Sequence, residues 1–361
     1  AKKLIFFEET KNIVEQLIVK NELLLNNNLV KKTIKKKLFH LILQKALFRD
    51  KFLEKFLCHI RKEILLLTKN KKKNKNLIQE FKDFLISFAE QSFLNEYLFF
   101  QSDEEIKIIN DLKNEIENDK NINELYISIL GCYLPLNSSK IIIDKLVKYT
   151  SKSDLFNDLV QIQIKDPIKE NELKSTINSL DNISDNISKK VREQYEENPY
   201  PRWRYADTVP KNKFLTLLNN NIKPNNIISK DNNLKRNILI AGCGTGQHSI
   251  VAASHFSNCQ ITAVDLSLAS ISYAKRKTTE LGITNLKYLQ ADILNLDQLQ
   301  KKFDIIESVG VLHHMDDPML GWEILTKLLR PGGLMKIGLY SEIGRQHILK
   351  IRNEIKSMKI G

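Results

Sequence analysis

The chain has few cysteines and no long apolar run. Its 361 residues include four cysteines, Cys58, Cys132, Cys243 and Cys259, none of them in a C-x-x-C pair. So few cannot build a disulfide framework, and their spacing offers no metal site, so a reducing, cytoplasmic setting is expected. No apolar stretch approaches the ~18 residues of a membrane-spanning helix, and none has the form of a secretory signal core, so no membrane association is expected. The first 165 residues lack the alternation of half-buried strands, and they show no 34-residue repeat. The chain begins at Ala1 rather than methionine, and a missing upstream segment is expected.

What is present suits a globular protein. Apolar residues make up 42% and charged residues 27%, and the length is enough for two domains with separate cores. The net charge of +13 is confined to one end, because residues 1–76 hold 20 Lys and Arg against 7 Asp and Glu, while the rest is balanced at 36 against 36. The Lys runs (Lys35, Lys36, Lys37; Lys69, Lys71, Lys72, Lys73, Lys75) are interleaved with Asn and lack aromatic partners. They read as solvated helix faces and a loop, which leaves a nucleic-acid partner open without favouring it. Heavy use of Lys, Asn and Ile also points to an AT-biased genome, which produces basic faces without selection for binding.

Residues 1–165 read as an all-helical domain, because apolar residues recur at spacings of three and four. Leu38, Leu41, Ile42, Phe48, Phe52, Phe56, Ile60 and Ile64 form one stripe. The polar stretch TKNKKKNKN is expected to break it before a second stripe of Leu77, Phe81, Phe84, Leu85, Phe88 and Leu98. Ser102 followed by Glu105 has the spacing of a capping box and starts a third helix. These stripes predict a helix-bundle core rather than a cofactor box. Residues 166–195, rich in Asp, Asn, Ser and Lys, read as a connecting segment with one or two short helices. From 196 to the end the texture changes to an α/β domain. Short apolar runs (NILIA, QITAV, LKYLQ, FDIIESV, LMKIGLY) alternate with helical stretches, the pattern of a doubly wound, mostly parallel sheet.

The candidate site residues lie where those runs end. The first run leads into Gly242, Cys243, Gly244, Thr245 and Gly246 before a helix from about Gln247. Such glycines let the backbone turn sharply and approach a ligand, with helix N–H groups aimed at it. The spacing is G-x-G-x-G, and Gln247 stands where a dinucleotide fingerprint has its third glycine, which favours a nucleoside-type ligand over NAD. Asp265, with Leu266 beside it, ends the second run 19 positions after Gly246, placed to accept both ribose hydroxyls. Asp292 follows the third run, placed to accept an exocyclic amine of adenine, with Ile293 beside the ring face. Either aspartate taken alone is equally well a helix N-cap. The fourth run should deliver Gly310, His313 and His314 to the carboxyl edge of the sheet, where an imidazole with an ordinary pKa near ~6.5 could accept a proton from an acceptor. Helix capping or packing is the alternative role for those histidines.

Taken together, GCGTG, VD, AD and VLHH, with LLRPGG before the next run, resemble the Rossmann-like class I S-adenosylmethionine-dependent methyltransferases. More narrowly, VREQYEENPYPRW (Val191 to Trp203), FLNEYLF (Phe93 to Phe99) and GCYLPL (Gly131 to Leu136) are similar to a bacterial family that joins a helical region to a methyltransferase domain, often behind tetratricopeptide repeats. The resemblance spans roughly residues 80 to 345, and NPYPRW is its most specific piece. It implies that Gly242, Gly244, Gly246, Asp265 and Asp292 bind S-adenosylmethionine, and that an unidentified acceptor receives the methyl group. A protein partner at the helical region fits the same picture.

Two departures stand out. Many class I enzymes carry an acidic residue two positions before the first glycine, where this chain has Ile240, so the cofactor's amino group needs another partner. Class I sheets normally have seven strands, and only five are visible before a helix from about Ser341, so the chain reads as truncated at both ends. The segment around Tyr195, Tyr200, Arg202 and Trp203, held extended by Pro199 and Pro201, is expected to be either a flap over the cofactor mouth or an interdomain packing strap. The competing functions are an RNA methyltransferase, which the basic N-terminus permits although no N-P-P-Y tetrad ends the fourth run, and a cofactor-binding scaffold without turnover. An NAD oxidoreductase ranks last.

Overall fold

A computed structural model describes residues 2–20, 22–47, 50–180, 183–206, 212–213, 234–341 and 343–358. The chain forms two compact units, Ala1–Lys169 with Pro201–Tyr205 and Glu170–Tyr200 with Ala206–Gly361. Among the described residues, no helix is long and apolar enough to cross a membrane.

The first unit is helical: α1 (Lys2–Val19), α2 (Asn28–Ile34), α3 (Lys37–Lys45), α4 (Lys51–Leu67), α5 (Lys71–Gln79), α6 (Lys82–Leu94), α7 (Asp103–Asn118), α8 (Glu124–Gly131), α9 (Lys140–Leu146) and α10 (Asp154–Val160). Start signals are local. Asp50 caps α4 by accepting the Leu53 N–H at 2.8 Å, and the Ser102–Glu105 capping box at α7 forms as its spacing predicts. The apolar stripes are buried where a helix carries them: Phe56, Ile60 and Ile64 of α4, then Phe81 with Phe84, Leu85 and Phe88 of α6, share one core.

The stripes depart from expectation at their ends. Leu38 is 54% exposed because α3 turns Phe39 and Leu43 inward instead, and Leu98 is 75% exposed because α6 has already ended. Phe48 lies outside the described residues. The polar TKNKKKNKN stretch is only briefly a break, since α5 begins at Lys71. Lysine is a good helix former, and Ile78, 1% exposed, anchors the end of that helix.

Periodicity gives no hint of a buried arginine in this core. Arg61 of α4 is 2% exposed. Its guanidinium donates to the carbonyls of Cys132 (2.9 Å) and Phe100 (2.6 Å), lies 3.9 Å from the Tyr133 ring centroid, and pairs with Glu105 at 3.9 Å. Tyr133 Oη in turn donates to Glu105 at 2.8 Å. Arg61→Ala is therefore expected to lower the stability of this unit by about 3–5 kcal/mol, because it removes the counter-charge of a buried carboxylate and a donor from each of two carbonyls. A urea midpoint within experimental error of the unsubstituted protein would refute that.

The main sheet of the second unit has five strands: β1 (Arg236–Ala241), β2 (Cys259–Asp265), β3 (Leu286–Gln290), β4 (Phe303–Val309) and β5 (Leu329–Gly338). They pair in the order β3-β2-β1-β4-β5, every pair parallel. The connections run through α13 (Gln247–His255), α14 (Leu268–Glu280) and α15 (Pro318–Leu328), and α16 (Gln346–Ser357) closes the described chain. The RPGG sequence does not merely precede β5. Phe303 pairs with Leu329 and Ile305 with Leu334, so the four residues between bulge out of one strand.

Upstream residues also belong to this unit. Asn178–Leu180 lie along β3: Leu180 N–H donates to Gln290 O and Gln290 N–H to Asn178 O, each at 2.9 Å, covering an edge that would otherwise be open. Two helices precede the sheet, α11 (Asp166–Lys174) and α12 (Asn186–Glu197), and α12 meets the start of α14, where Glu196 accepts the Ala269 N–H at 3.2 Å and Ser267 Oγ donates to the Tyr195 carbonyl at 3.0 Å.

Candidate active site

All five strands point the same way, so the carboxyl ends of β3, β2, β1 and β4 lie side by side on one edge. At the end of β1 the backbone passes through left-handed conformations at Gly242 (φ +81°), Gly244 (+51°) and Gly246 (+81°). Gly242 has no room for a side chain, since a Cβ there would lie 2.2 Å from Val311 Cγ2. Gly244 is the opposite case: a Cβ would meet nothing within 4 Å, so this bend offers bare backbone to open space. Gly246 is the N-cap of α13, which leaves that helix's first N–H groups facing the bend.

Asp265 is the last residue of β2, and its carboxylate closes the bend. Oδ2 accepts the Gly244 N–H at 2.7 Å and Oδ1 the Ser267 N–H at 3.0 Å. Each oxygen keeps further lone-pair capacity for a hydroxyl donor. Burial pushes this carboxyl above the usual aspartate range, the N–H groups of Ser267, Gly244 and Leu266 pull it back, and nearby Glu196 adds to the rise. Leu266 follows, its carbonyl accepting from Gln290 Nε2 at 2.9 Å.

Asp292 stands just past β3, 4% exposed. It caps the short turn of Ile293–Leu299 by accepting the Leu294 N–H at 3.0 Å, so the N-cap role foreseen for it is real. That bond uses one carboxylate oxygen and leaves acceptor capacity on the group. Ile293 packs into the core cluster of Leu239, Ala241 and Val264.

Beyond β4, Gly310 (φ +78°) donates its N–H to Gly338 O at 2.9 Å. A short turn of Leu312–His314 follows, anchored by Leu312 at 1% exposure. The His313 ring lies against Tyr340, tilted by 31° with 3.7 Å between centroids, and 4.3 Å from the His314 ring. Both ring nitrogens of His313 are buried without a hydrogen-bond partner. Burial lowers the pKa of His313, with His314 and Arg345 adding to the fall. Burial, Arg345 and Arg352 do the same for His314.

The expected site residues thus divide into three neighbouring groups: the glycines with Asp265 and Leu266 at β1 and β2, Asp292 and Ile293 at β3, and Gly310 with the histidines at β4. Sequence reasoning missed Glu307 in β4 and Tyr340 after β5. A carboxylate inside the apolar run FDIIESV is the signal that could have singled out Glu307.

The NPYPRW segment divides between the two units. Tyr195 belongs to the sheet-bearing unit, where its carbonyl accepts from Ser267 Oγ at 3.0 Å; burial raises its pKa, with Asp265 and Tyr340 adding to the rise. Arg202 and Trp203 fold with the helical unit. Arg202 Nε pairs with Glu96 at 2.5 Å, its guanidinium 4.4 Å from the Phe93 ring centroid. The next residue, Arg204, holds Glu90 and Asp158, each at 2.6 Å, and Glu90 is fully buried.

A parallel sheet of order β3-β2-β1-β4-β5, with a glycine bend after its central strand and a carboxylate at the tip of the next, defines a Rossmann-like class I domain. Comparison with known proteins specifies it further: residues 233–357 match the family described as "Methyltransferase domain". A protein of Synechococcus sp. described as uncharacterized is 37% identical over 119 residues, 33% of this chain and 28% of the relative. The (S)-coclaurine N-methyltransferase of Papaver somniferum is 32% identical over 100 residues, 28% of each chain. Among solved structures, PKMT2 from Rickettsia typhi in complex with AdoHcy is 30% identical over 28% of this chain and 20% of its own, with a TM-score of 0.26. This chain spans 28% to 54% of the length of the first curated relatives that it matches. The match to this family thus runs from just before β1 to the end of α16.

Proposed function

We propose that the protein transfers a methyl group from S-adenosylmethionine to an acceptor, a small molecule or a group on a protein or glycan, at the carboxyl edge of β1–β4. The observation that carries this reading is the Asp265 carboxylate bound to the Gly244 N–H at 2.7 Å, with open space over Gly244. These residues fit a nucleoside: Asp265 accepts the ribose hydroxyls, Asp292 the exocyclic amine, Leu266 and Ile293 border the ring, and the N–H groups at the start of α13 face the rest of the ligand. Bound S-adenosylmethionine supplies a methyl carbon on a positively charged sulfur, already activated for in-line displacement. The chain's task is then to align the acceptor, exclude water and, for a protic nucleophile, take a proton.

His313 is the residue we assign to the proton, with His314 as its neighbour. Its ring nitrogens have no internal partner, and its lowered pKa keeps it neutral, and so basic, at physiological pH. His313→Ala is expected to lower kcat by roughly 100-fold with little change in donor affinity. The acid limb of the rate profile should lie below the ordinary histidine value of ~6.5. An unchanged kcat in this variant would remove His313 from the chemistry. We propose that the helical unit, which includes Pro201–Tyr205, presents the acceptor or a protein partner.

The test is calorimetry with S-adenosylmethionine and NAD side by side, then mass spectrometry of cell extracts with and without the gene, searching for a methyl-sized mass difference. Binding of the sulfonium alone is expected, together with one methylated species. Binding of NAD, or of neither ligand, would overturn the proposal.

A further inference from the structure

The acidic position of the class I pattern, two residues before the first glycine, is Ile240, which is 1% exposed and apolar. In the sheet, Ile240 of β1 is the direct register partner of Glu307 of β4. Paired residues on neighbouring parallel strands project to the same face, about 4.8 Å apart. A carboxylate is therefore present in the same layer and on the same face, one strand over.

Its surroundings resemble a binding position more than a finished structural ion pair. Glu307 is 7% exposed, and its Oε2 makes no hydrogen bond. His248 Nε2 approaches that oxygen to 2.7 Å without hydrogen-bond geometry, and Lys336 Nζ stands 3.6 Å away. Burial works against the charge of Glu307, but His248 and Lys336 outweigh it and keep the carboxyl below its ordinary range, hence ionised. A buried carboxylate oxygen without a hydrogen bond is costly, and a charged donor would satisfy it. His248 is the second residue of α13 and sits two positions past Gly246, so this carboxylate faces the start of the helix that follows the bend.

We propose that Glu307 receives the α-ammonium group of the methyl donor, taking the role left empty at Ile240. This rests on the donor assignment made above. His248 holds the carboxylate from the helix side, and Lys336 supports its ionised form.

The test compares S-adenosylhomocysteine with its deamino analogue, S-adenosyl-4-thiobutyrate, by calorimetry on the full chain. The unsubstituted protein should bind the amino form at least roughly 10-fold tighter, and Glu307→Gln should weaken that binding roughly 10- to 100-fold while leaving the deamino analogue unchanged. Retained affinity for the analogue also reports that the variant is folded. An equal loss for both ligands assigns Glu307 a structural role and overturns the proposal, as does undiminished binding of S-adenosylhomocysteine. If the unsubstituted protein binds neither ligand, the donor assignment itself fails, an outcome separate from either of these.

Discussion

Asp265→Asn is expected to abolish most donor affinity, by roughly 100- to 1,000-fold, while leaving the fold as stable as before or more so at neutral pH. The two effects part because the carboxylate does two things. It accepts the N–H groups of Gly244 and Ser267, which an amide oxygen can partly replace. It also offers ionised acceptor capacity for a pair of ribose hydroxyls, which an amide cannot supply; two charge-assisted hydrogen bonds of about 1.5–3 kcal/mol each are at stake.

The sign of the stability change follows from the raised pKa, whose main cause is burial. Between the ordinary aspartate value and the raised one, the folded state holds more protons than the unfolded state, so stability falls as pH rises through that window. The ionised form at neutral pH is thus a burden on the fold, and neutral Asn removes it. Donor affinity runs the other way, because it needs the ionised form. On acidification it should begin to fall while still above the usual aspartate range. Calorimetry across pH and urea unfolding of both proteins measure the two effects. A variant that loses stability and affinity in proportion would show that Asp265 serves only to close the bend.

Gly242→Ala and Gly244→Ala should fail in different ways. At Gly242 a methyl group would lie 2.2 Å from Val311 Cγ2 in a left-handed conformation, so the bend has to move. A loss of about 3–5 kcal/mol is expected from overpacking and backbone strain together. At Gly244 a methyl group meets no protein atom within 4 Å, and only the strain of φ +51° remains, about 1–2 kcal/mol. The same methyl occupies the open space over the backbone, so donor affinity should fall at least roughly 10-fold in a protein that is still folded. Thermal unfolding combined with donor titration separates the two, and full donor affinity in folded Gly244→Ala would place the ligand elsewhere.

Much of the sheet was legible because its signals are local. The first four apolar runs became strands within a residue or so of their expected bounds, while the fifth strand also took in the LRPGG stretch before it; the bend, Asp265 and Asp292 lie at strand tips because polar and glycine residues interrupt the runs there. The capping box at Ser102 and Glu105 is equally local. Errors gathered where spacing alone misjudged the face or the end of a helix: Leu38 lies on the outer face of α3, and Leu98 falls beyond the end of α6.

Sequence order alone determined which stretches alternate and which wind, where backbone must turn through glycine, and in what succession the carboxylates appear. Those properties depend on neighbours within a few positions. Only the tertiary structure decided that Glu307 stands opposite Ile240, that Arg61 lies between Cys132, Phe100 and Glu105, and that Arg202 and Arg204 pair with Glu96, Glu90 and Asp158. Each of these joins residues tens of positions apart, through strand register or burial of charge, and side-chain periodicity carries no record of which distant partner a strand or an ion will meet.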